Sequence, residues 1–185
     1  MANYETEREV RSIIGPTERL VWAGRPKQGL MFRTSDIFMI PFSLMWCGFA
    51  VFWELSVLGA GAPLLFKLWG VPFVLVGLYF VVGRFLADAR IRRHTVYGFT
   101  DNRVVIRSGL FSQRLNSLSL RTLSGVSLDE SNNGRGTIYL GPRNGWQEWQ
   151  YGTWLPSGNS GTPKLIEIDD AKRVYDDLMA AQKDA

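Results

Sequence analysis

The feature that most constrains this chain is an apolar run of 47 residues, 37–83, which contains only two charged side chains. The other 36 charged residues lie outside it. A Gly-Ala-Gly-Ala-Pro segment, Gly59–Pro63, separates apolar halves of 22 and 20 residues, 37–58 and 64–83. A bilayer core about 30 Å thick requires roughly 20 apolar helical residues to cross it. We therefore predict a two-helix transmembrane hairpin; the alternative is a buried helical pair inside a soluble protein.

The basic residues that flank this run predict its orientation. Four precede it and four follow it, whereas the connecting segment carries no charge: Arg19, Arg25, Lys27, Arg33, Arg84, Arg90, Arg92 and Arg93. Lys and Arg near membrane ends stay on the cytoplasmic side. We expect both termini to be cytoplasmic. The first span is expected to serve as an uncleaved signal, because Met1–Gln28 contains no apolar signal-peptide core.

The two charges inside the run, Glu54 and Lys67, lie at nearly equal distances from the connecting segment. An ionisable residue within a span is a functional hypothesis by default. We predict that the two side chains pair across the hairpin, about 10 Å below the turn at 1.5 Å per helical residue. A proton or ion pathway and a contact with a partner's membrane helix are the alternatives.

The second helix is predicted to continue beyond the run through residues 83–93, which carry four arginines and one acid, Asp88. Basic residues beside a membrane attract anionic headgroups by about 1 kcal/mol per charge. Arg84, Arg90, Arg92 and Arg93 are therefore candidate lipid contacts. Topology signalling explains the same residues and is the interpretation that we favour.

After the hairpin, the hydrophobic pattern changes to short strands that are separated by turn signals. The predicted strands are 95–100, 103–107, 115–120, 126–129, 136–140 and 165–168. Asp101-Asn102 and Asn133-Gly134 are typical hairpin turns. This spacing predicts a small antiparallel sandwich or open barrel.

A final helix is predicted after Asp169 or Asp170, because apolar residues then recur with a 3.6-residue period. They are Ala171, Val174, Tyr175, Leu178 and Met179. We expect this apolar face to cover the sheets; the alternative is that it binds a partner.

The segment Gly141–Pro163 combines five glycines and three prolines with Trp146, Trp149, Tyr151 and Trp154. Loops of this length are uncommon in compact domains, and disordered segments usually lack aromatic residues. One interpretation is a further strand over 148–154 whose rings cover the domain's own core. The other is a docking surface for a membrane-protein partner or for the headgroup layer.

The chain contains few reactive groups. The one cysteine, Cys47, lies inside the first span, and the lone histidine, His94, lies between helix and strand. No phosphate-binding or dinucleotide-binding glycine motif occurs. We therefore predict no catalytic residue, metal or cofactor. The basic pI is explained by the flanks of the run, so no nucleic-acid partner is expected.

Strands followed by one amphipathic helix resemble the pleckstrin-homology (PH) superfold. Several short motifs also resemble the bacterial PH-like family of membrane-anchored proteins: Tyr97-x-x-Thr100-x-x-Arg103, Arg107-x-Gly109, Leu118-x-Leu120, Gly134-x-Gly136-Thr137-Ile138, and the block Glu18–Pro26. Tyr97, Thr100 and Arg103 are expected to have structural roles. Trp22, in the N-terminal block, is expected in an extra strand, under the sheet, or at the membrane interface.

The resemblance implies an integral membrane α+β protein in the bacterial inner membrane. Its parts would be an N-terminal cytoplasmic segment (1–34), the helical hairpin with its extension (35–93) and a PH-like antiparallel domain with a C-terminal helix (94–185). Lipid-binding eukaryotic PH domains use a basic first hairpin, whereas Arg103 is the one cation beside this turn. A headgroup pocket of that kind is not expected.

Three hypotheses for function follow. The first is a non-enzymatic interaction module that acts as a scaffold, accessory subunit or assembly factor of an inner-membrane protein complex. The second is a peripheral sensor of anionic lipid at the cytoplasmic face. The third, which we favour least, is an enzyme.

Overall fold

The computed structural model describes residues 2–33, 35–109, 113–131, 133–143, 145 and 161–184. Its helices are α1 (Ala2–Arg11), α2 (Asp36–Gly59), α3 (Leu64–Leu78), α4 (Arg84–Arg93) and α5 (Ala171–Asp184). A π-helical turn, Tyr79–Gly83, joins α3 to α4. The strands are β1 (Leu20–Gly24), β2 (Val96–Thr100), β3 (Arg103–Ser108), β4 (Arg114–Ser119), β5 (Val126–Glu130), β6 (Gly136–Leu140) and β7 (Lys164–Ile168).

The strands form two antiparallel sheets. The first has the order β1-β2-β3-β4, and the second has the order β5-β6-β7. The predicted turns at Asp101-Asn102 and Gly134 connect β2 to β3 and β5 to β6. The antiparallel sheets of the predicted PH-like fold are therefore confirmed. The N-terminal block contributes β1, whose residue Trp22 pairs with Phe99 of β2.

The main core lies between the two sheets and under α5. Both sheets and α5 contribute side chains that are almost completely buried. Examples are Phe99 and Val104 from the first sheet, Ile138 and Leu165 from the second, and Leu178 from α5. Alternation along the strands places these residues on the inner faces. The apolar face of the final helix therefore packs on the sheets, as the sequence predicts.

The outer face of the first sheet is covered by α1, which the sequence did not predict. Val10 of α1 is buried with Ala23 of β1 and Val96 of β2. Gly98 permits this contact, because a Cβ there would lie 2.4 Å from a methyl group of Val10. The helix is mostly polar, so its apolar period is too weak to stand out.

The turn between β2 and β3 is held by Thr100. Its Oγ1 accepts hydrogen bonds from the backbone N–H groups of Asn102 and Arg103, at 3.2 and 3.1 Å. The guanidinium of Arg103 binds the carboxylate of Glu18, with Nε to Oε2 at 3.1 Å and Nη2 to Oε1 at 2.9 Å. The two motif blocks of the sequence thus meet in an ion pair that fixes the N-terminal segment on the sheet.

The helices α2 and α3 form an antiparallel hairpin whose surface is mostly apolar and exposed. Asp36–Gly59 and Leu64–Arg93 are each long and apolar enough to cross a membrane, judged by length and composition. Few of their side chains are buried inside the protein. These bounds agree with the two apolar halves and with the predicted extension of the second helix to Arg93.

Candidate functional site

Two close contacts set the register of the hairpin. A Cβ on Gly77 would lie 2.9 Å from Cα of Cys47, and a Cβ on Gly70 would meet the carboxylate of Glu54. Residues 47 and 77, and residues 54 and 70, are each equidistant from Ala62. Small residues let membrane helices approach closely, and both glycines are buried here.

This register corrects the predicted pair of Glu54 and Lys67. Among the described residues no ion pair joins them, and Oε2 of Glu54 is buried without a hydrogen-bond partner. Lys67 lies level with Val57, one turn closer to the connecting segment than Glu54. The prediction from sequence centred the hairpin more than one residue before Ala62. That error placed the two charges at the same depth.

One side of the hairpin carries an aromatic groove of about 290 Å³. It is lined by Trp46, Phe49, Ala50, Trp53, Trp69 and Phe73. The four residues from α2 recur at helical spacing, so they share one face of that helix. The groove is apolar and open, and none of the six side chains that line it carries an ionisable group for chemistry.

Five charged residues join the hairpin to the rest of the protein and are here called the junction cluster: Arg33, Asp36, Arg84, Asp88 and Arg92. Nη2 of Arg84 lies 2.9 Å from Oδ1 of Asp36, which links the start of α2 to the start of α4. Nη2 of Arg33 lies 2.9 Å from Oδ1 of Asp88. The first residue of α2 and the segment before it are therefore each tied to α4.

Arg92 is the most deeply buried member of the junction cluster, with 1% of its side chain exposed. Its guanidinium donates to the carboxylate of Asp88, one turn earlier on α4, and to the backbone carbonyl of Gly29. Nε2 of Gln28 donates to the carbonyl of Arg92 at 3.2 Å. A buried charge is tolerated when it is paired and hydrogen-bonded. Arg92 thus attaches the segment 28–29 to the end of α4.

The four arginines predicted to contact anionic lipid have different environments. Arg84 and Arg92 are buried and paired with Asp36 and Asp88. The prediction is corrected for these two, because their charges are already compensated inside the protein. Arg90 and Arg93 are exposed. Lipid contact stays a prediction for these two residues.

Trp22 is half-buried rather than free on the surface. Its ring stacks on Phe99, with ring centroids 6.2 Å apart, and packs against the main core. It also fills the space beside Gly24, where a Cβ would lie 2.3 Å from the indole. The structure therefore gives Trp22 a packing role in β1, while its exposed part borders a groove.

That groove has a volume of about 790 Å³ and lies between β1 and α5. Its walls are the segment 21–28 and the start of α5. Its charges are mixed: Arg135 pairs with Asp169 at 2.7 Å, and Arg173 lies 3.9 Å from Asp177. Because cations and acids alternate around it, the groove does not concentrate charge of one sign.

Tyr97 connects the two sheets. Its hydroxyl accepts a hydrogen bond from the backbone N–H of Ile166, with 3.4 Å between the heavy atoms. Complete burial raises the pKa of Tyr97 well above its ordinary value, so the ring stays neutral. This residue has the structural role that the motif implies.

The remaining predicted interface residues, Trp146, Trp149, Tyr151 and Trp154, lie outside the described residues. Both interpretations of the aromatic segment therefore stay open. His94 is exposed, and its Nδ1 lies 2.9 Å from the carbonyl of Arg90. In the part of the chain that the structure describes, no group of three or more His, Cys, Asp or Glu side chains could hold a metal ion.

The sequence did not predict the junction cluster, because Asp36 was not singled out and Arg33 and Asp88 were considered only as charges that flank the apolar run. One signal was present: Asp88 and Arg92 are four residues apart on a helix, a spacing at which opposite charges meet. The contacts from Arg33 and Gly29 join segments more than 50 residues apart in the chain. No local pattern predicts them.

Comparison with known proteins identifies one related family. A family model described as the bacterial PH domain matches residues 40–182, well over half of the chain. The match begins inside α2 and ends inside α5, so it includes most of the hairpin and strands β2 to β7. No curated protein and no solved structure matches the chain.

Proposed function

Because the chain belongs to the bacterial PH domain family, we propose that it is a membrane-anchored, non-enzymatic module for protein interaction. In this proposal it serves an inner-membrane protein complex as a scaffold, accessory subunit or assembly factor. The observation that carries the proposal is the junction cluster, which ties α4 to the start of α2 and to the segment that follows β1. A partner of the sheets would then be held at the place where the hairpin resides.

The exposed surface of the hairpin supports membrane anchoring. Large apolar side chains are at least half exposed on both helices, including Phe49, Phe52, Leu65 and Trp69. Soluble monomers rarely expose contiguous apolar patches larger than a few hundred Å². A bilayer covers such a surface, and the backbone is satisfied because both segments are helical.

The flanking charges support a cytoplasmic location for both termini. Arg90 and Arg93 are exposed at the end of α4, and Arg33 lies just before α2. The connecting segment between the helices carries no charge. Under the positive-inside rule, the sheets then lie on the cytoplasmic face. Exposed Phe32 and Leu30, next to Arg33, would lie close to the headgroup layer.

The partner of the cytoplasmic part is proposed to be an integral membrane protein complex. In-cell crosslinking, mild detergent extraction and mass spectrometry test this directly. Reproducible recovery of one integral complex with the chain is the expected result. Absence of such a complex, together with lipid-dependent protection of residues 141–163, would favour the alternative of an anionic-lipid sensor, to which exposed Arg90 and Arg93 would contribute.

The aromatic segment provides a specific prediction. Replacing Trp146, Trp149 and Trp154 together by Ala is expected to lower recovery of the partner about tenfold or more, because aromatic residues dominate interface hot spots. The measurement is partner recovery at matched expression, with thermal unfolding of each variant as the folding control. Unchanged recovery would remove the aromatic segment from the interface, whereas loss of folding would assign the rings to the domain's own core.

A further inference from the structure

We propose that two copies of this chain associate through their hairpins, with Glu54 of each copy paired to Lys67 of the other. The proposal rests on the proposed membrane anchoring and names a second copy as one partner of the hairpin. Its basis is that Glu54 and Lys67 lie within a few helical turns of each other but form no ion pair within one chain.

Both charges lack a partner within the described part of one chain. Oε2 of Glu54 is buried against Gly70 without a hydrogen bond. Lys67 is half-buried, and no ion pair between described residues includes it. A charged side chain near the bilayer centre costs about 2.5–3.5 kcal/mol on insertion scales, and such residues usually pair with one another. Opposite charge on a neighbouring hairpin would remove this cost.

The direction of the Lys67 side chain, rather than its depth, explains why the pair does not form within one copy. Lys67 is displaced by three residues, about 4.5 Å, from the level of Glu54. It also lies three residues from Gly70, so at about 100° per residue its side chain points roughly 60° away from the line of contact with α2. Lys67 therefore projects from one side of the hairpin.

The side from which Lys67 projects is a separate apolar surface, here called the Lys67 face. It includes Val51 and Leu58 on α2 and Val71 and Leu78 on α3, which are 38–54% exposed. Gly48 lies on the same side of α2, and no atom lies within 4 Å of the position of a Cβ there. A small residue in open space permits close approach of another helix. The aromatic groove lies on the opposite side of the hairpin.

A two-fold axis parallel to the membrane normal makes these features complementary. Rotation about such an axis leaves each residue at the same depth in both copies, and both copies keep the same orientation across the membrane. It places α3 of the second copy beside α2 of the first, so that Lys67 of one copy comes within reach of the partly exposed Glu54 side chain of the other. The flexible lysine stem covers the offset of one turn. Two identical ion pairs then form across the axis, and both charges in each hairpin are compensated.

Charge reversal in two differently tagged copies tests this arrangement. Glu54→Lys gives a hairpin with two cations, and Lys67→Glu gives one with two acids. Each variant alone is expected to lose at least 90% of the copurification seen between wild-type copies, because like charges would face each other. Coexpression of the two variants is expected to restore it, because opposite charges face each other only in the mixed pair.

The neutral variants Glu54→Gln and Lys67→Gln provide the control for folding. Their mixture keeps one of the two ion pairs, so it should copurify better than either variant with itself. The proposal is overturned if coexpression restores copurification for neither the charge-reversed nor the neutral pair of variants. It is also overturned if wild-type copies do not copurify. Resistance of the wild-type chain to alkaline extraction from membranes is measured in parallel. Release of the wild-type chain by alkali would refute the membrane anchoring itself. Retention of the chain in membranes, without restored copurification of the variants, would refute only the pairing of copies.

Discussion

Replacing Arg92 by Ala is expected to lower the free energy of unfolding by about 3–5 kcal/mol, the usual cost of removing one partner from a buried ion pair. The change removes the hydrogen bonds to Asp88 and to the carbonyl of Gly29, and it leaves Asp88, which is more than 90% buried, without its ion pair to Arg92. Unfolding by urea in mild detergent, followed by intrinsic fluorescence, measures the effect.

Arg90→Ala is the matched control for this experiment, because Arg90 lies on the same helix and is exposed. Exposed substitutions usually change stability by less than about 0.5 kcal/mol. Arg92→Lys should lie between the two, since an ammonium retains the charge but cannot bridge Asp88 and Gly29 as the guanidinium does. Equal stability of the Arg92→Ala and Arg90→Ala variants would show that the junction cluster does not stabilise the folded chain.

Replacing Leu178 by Ala is expected to cost about 2–5 kcal/mol, because the change leaves a cavity between α5 and both sheets. Leu178 is fully buried in the main core. The same substitution at Leu115, which is 50% exposed on β4, should be nearly neutral. Thermal unfolding of both variants under one condition measures the difference. If the two changes cost the same, α5 does not pack on the sheets as described.

Much of the fold of the two sheets and α5 could be predicted from the sequence because its signals are local. Asp101-Asn102 and Asn133-Gly134 mark turns whose geometry few residues adopt easily, and the apolar period after Asp170 marks a helix. The motif residue Arg103 was expected to have a structural role. Its partner, Glu18, lies 85 residues away, and only the folded chain identifies it.

The candidate site was harder to predict because it depends on register and on long-range pairing. The register of the hairpin is set by the fit of Gly77 against Cys47, and a shift by a few residues separates Glu54 from Lys67. Basic residues beside an apolar run look alike in sequence. Burial distinguishes Arg84 and Arg92, which join elements, from Arg90 and Arg93, which face solvent. The polar helix α1 depends on Val10 alone for its deepest apolar contact.

The most direct test of the central claim is the location of the connecting segment. A phosphatase that becomes active only outside the cytoplasm can be inserted between Gly61 and Ala62, and its activity measured in intact cells. A membrane-anchored module with sheets on the cytoplasmic face predicts an active enzyme at this position and an inactive one fused after Ala185. An inactive enzyme between Gly61 and Ala62, at normal expression of the fusion, would contradict the proposed anchoring and topology.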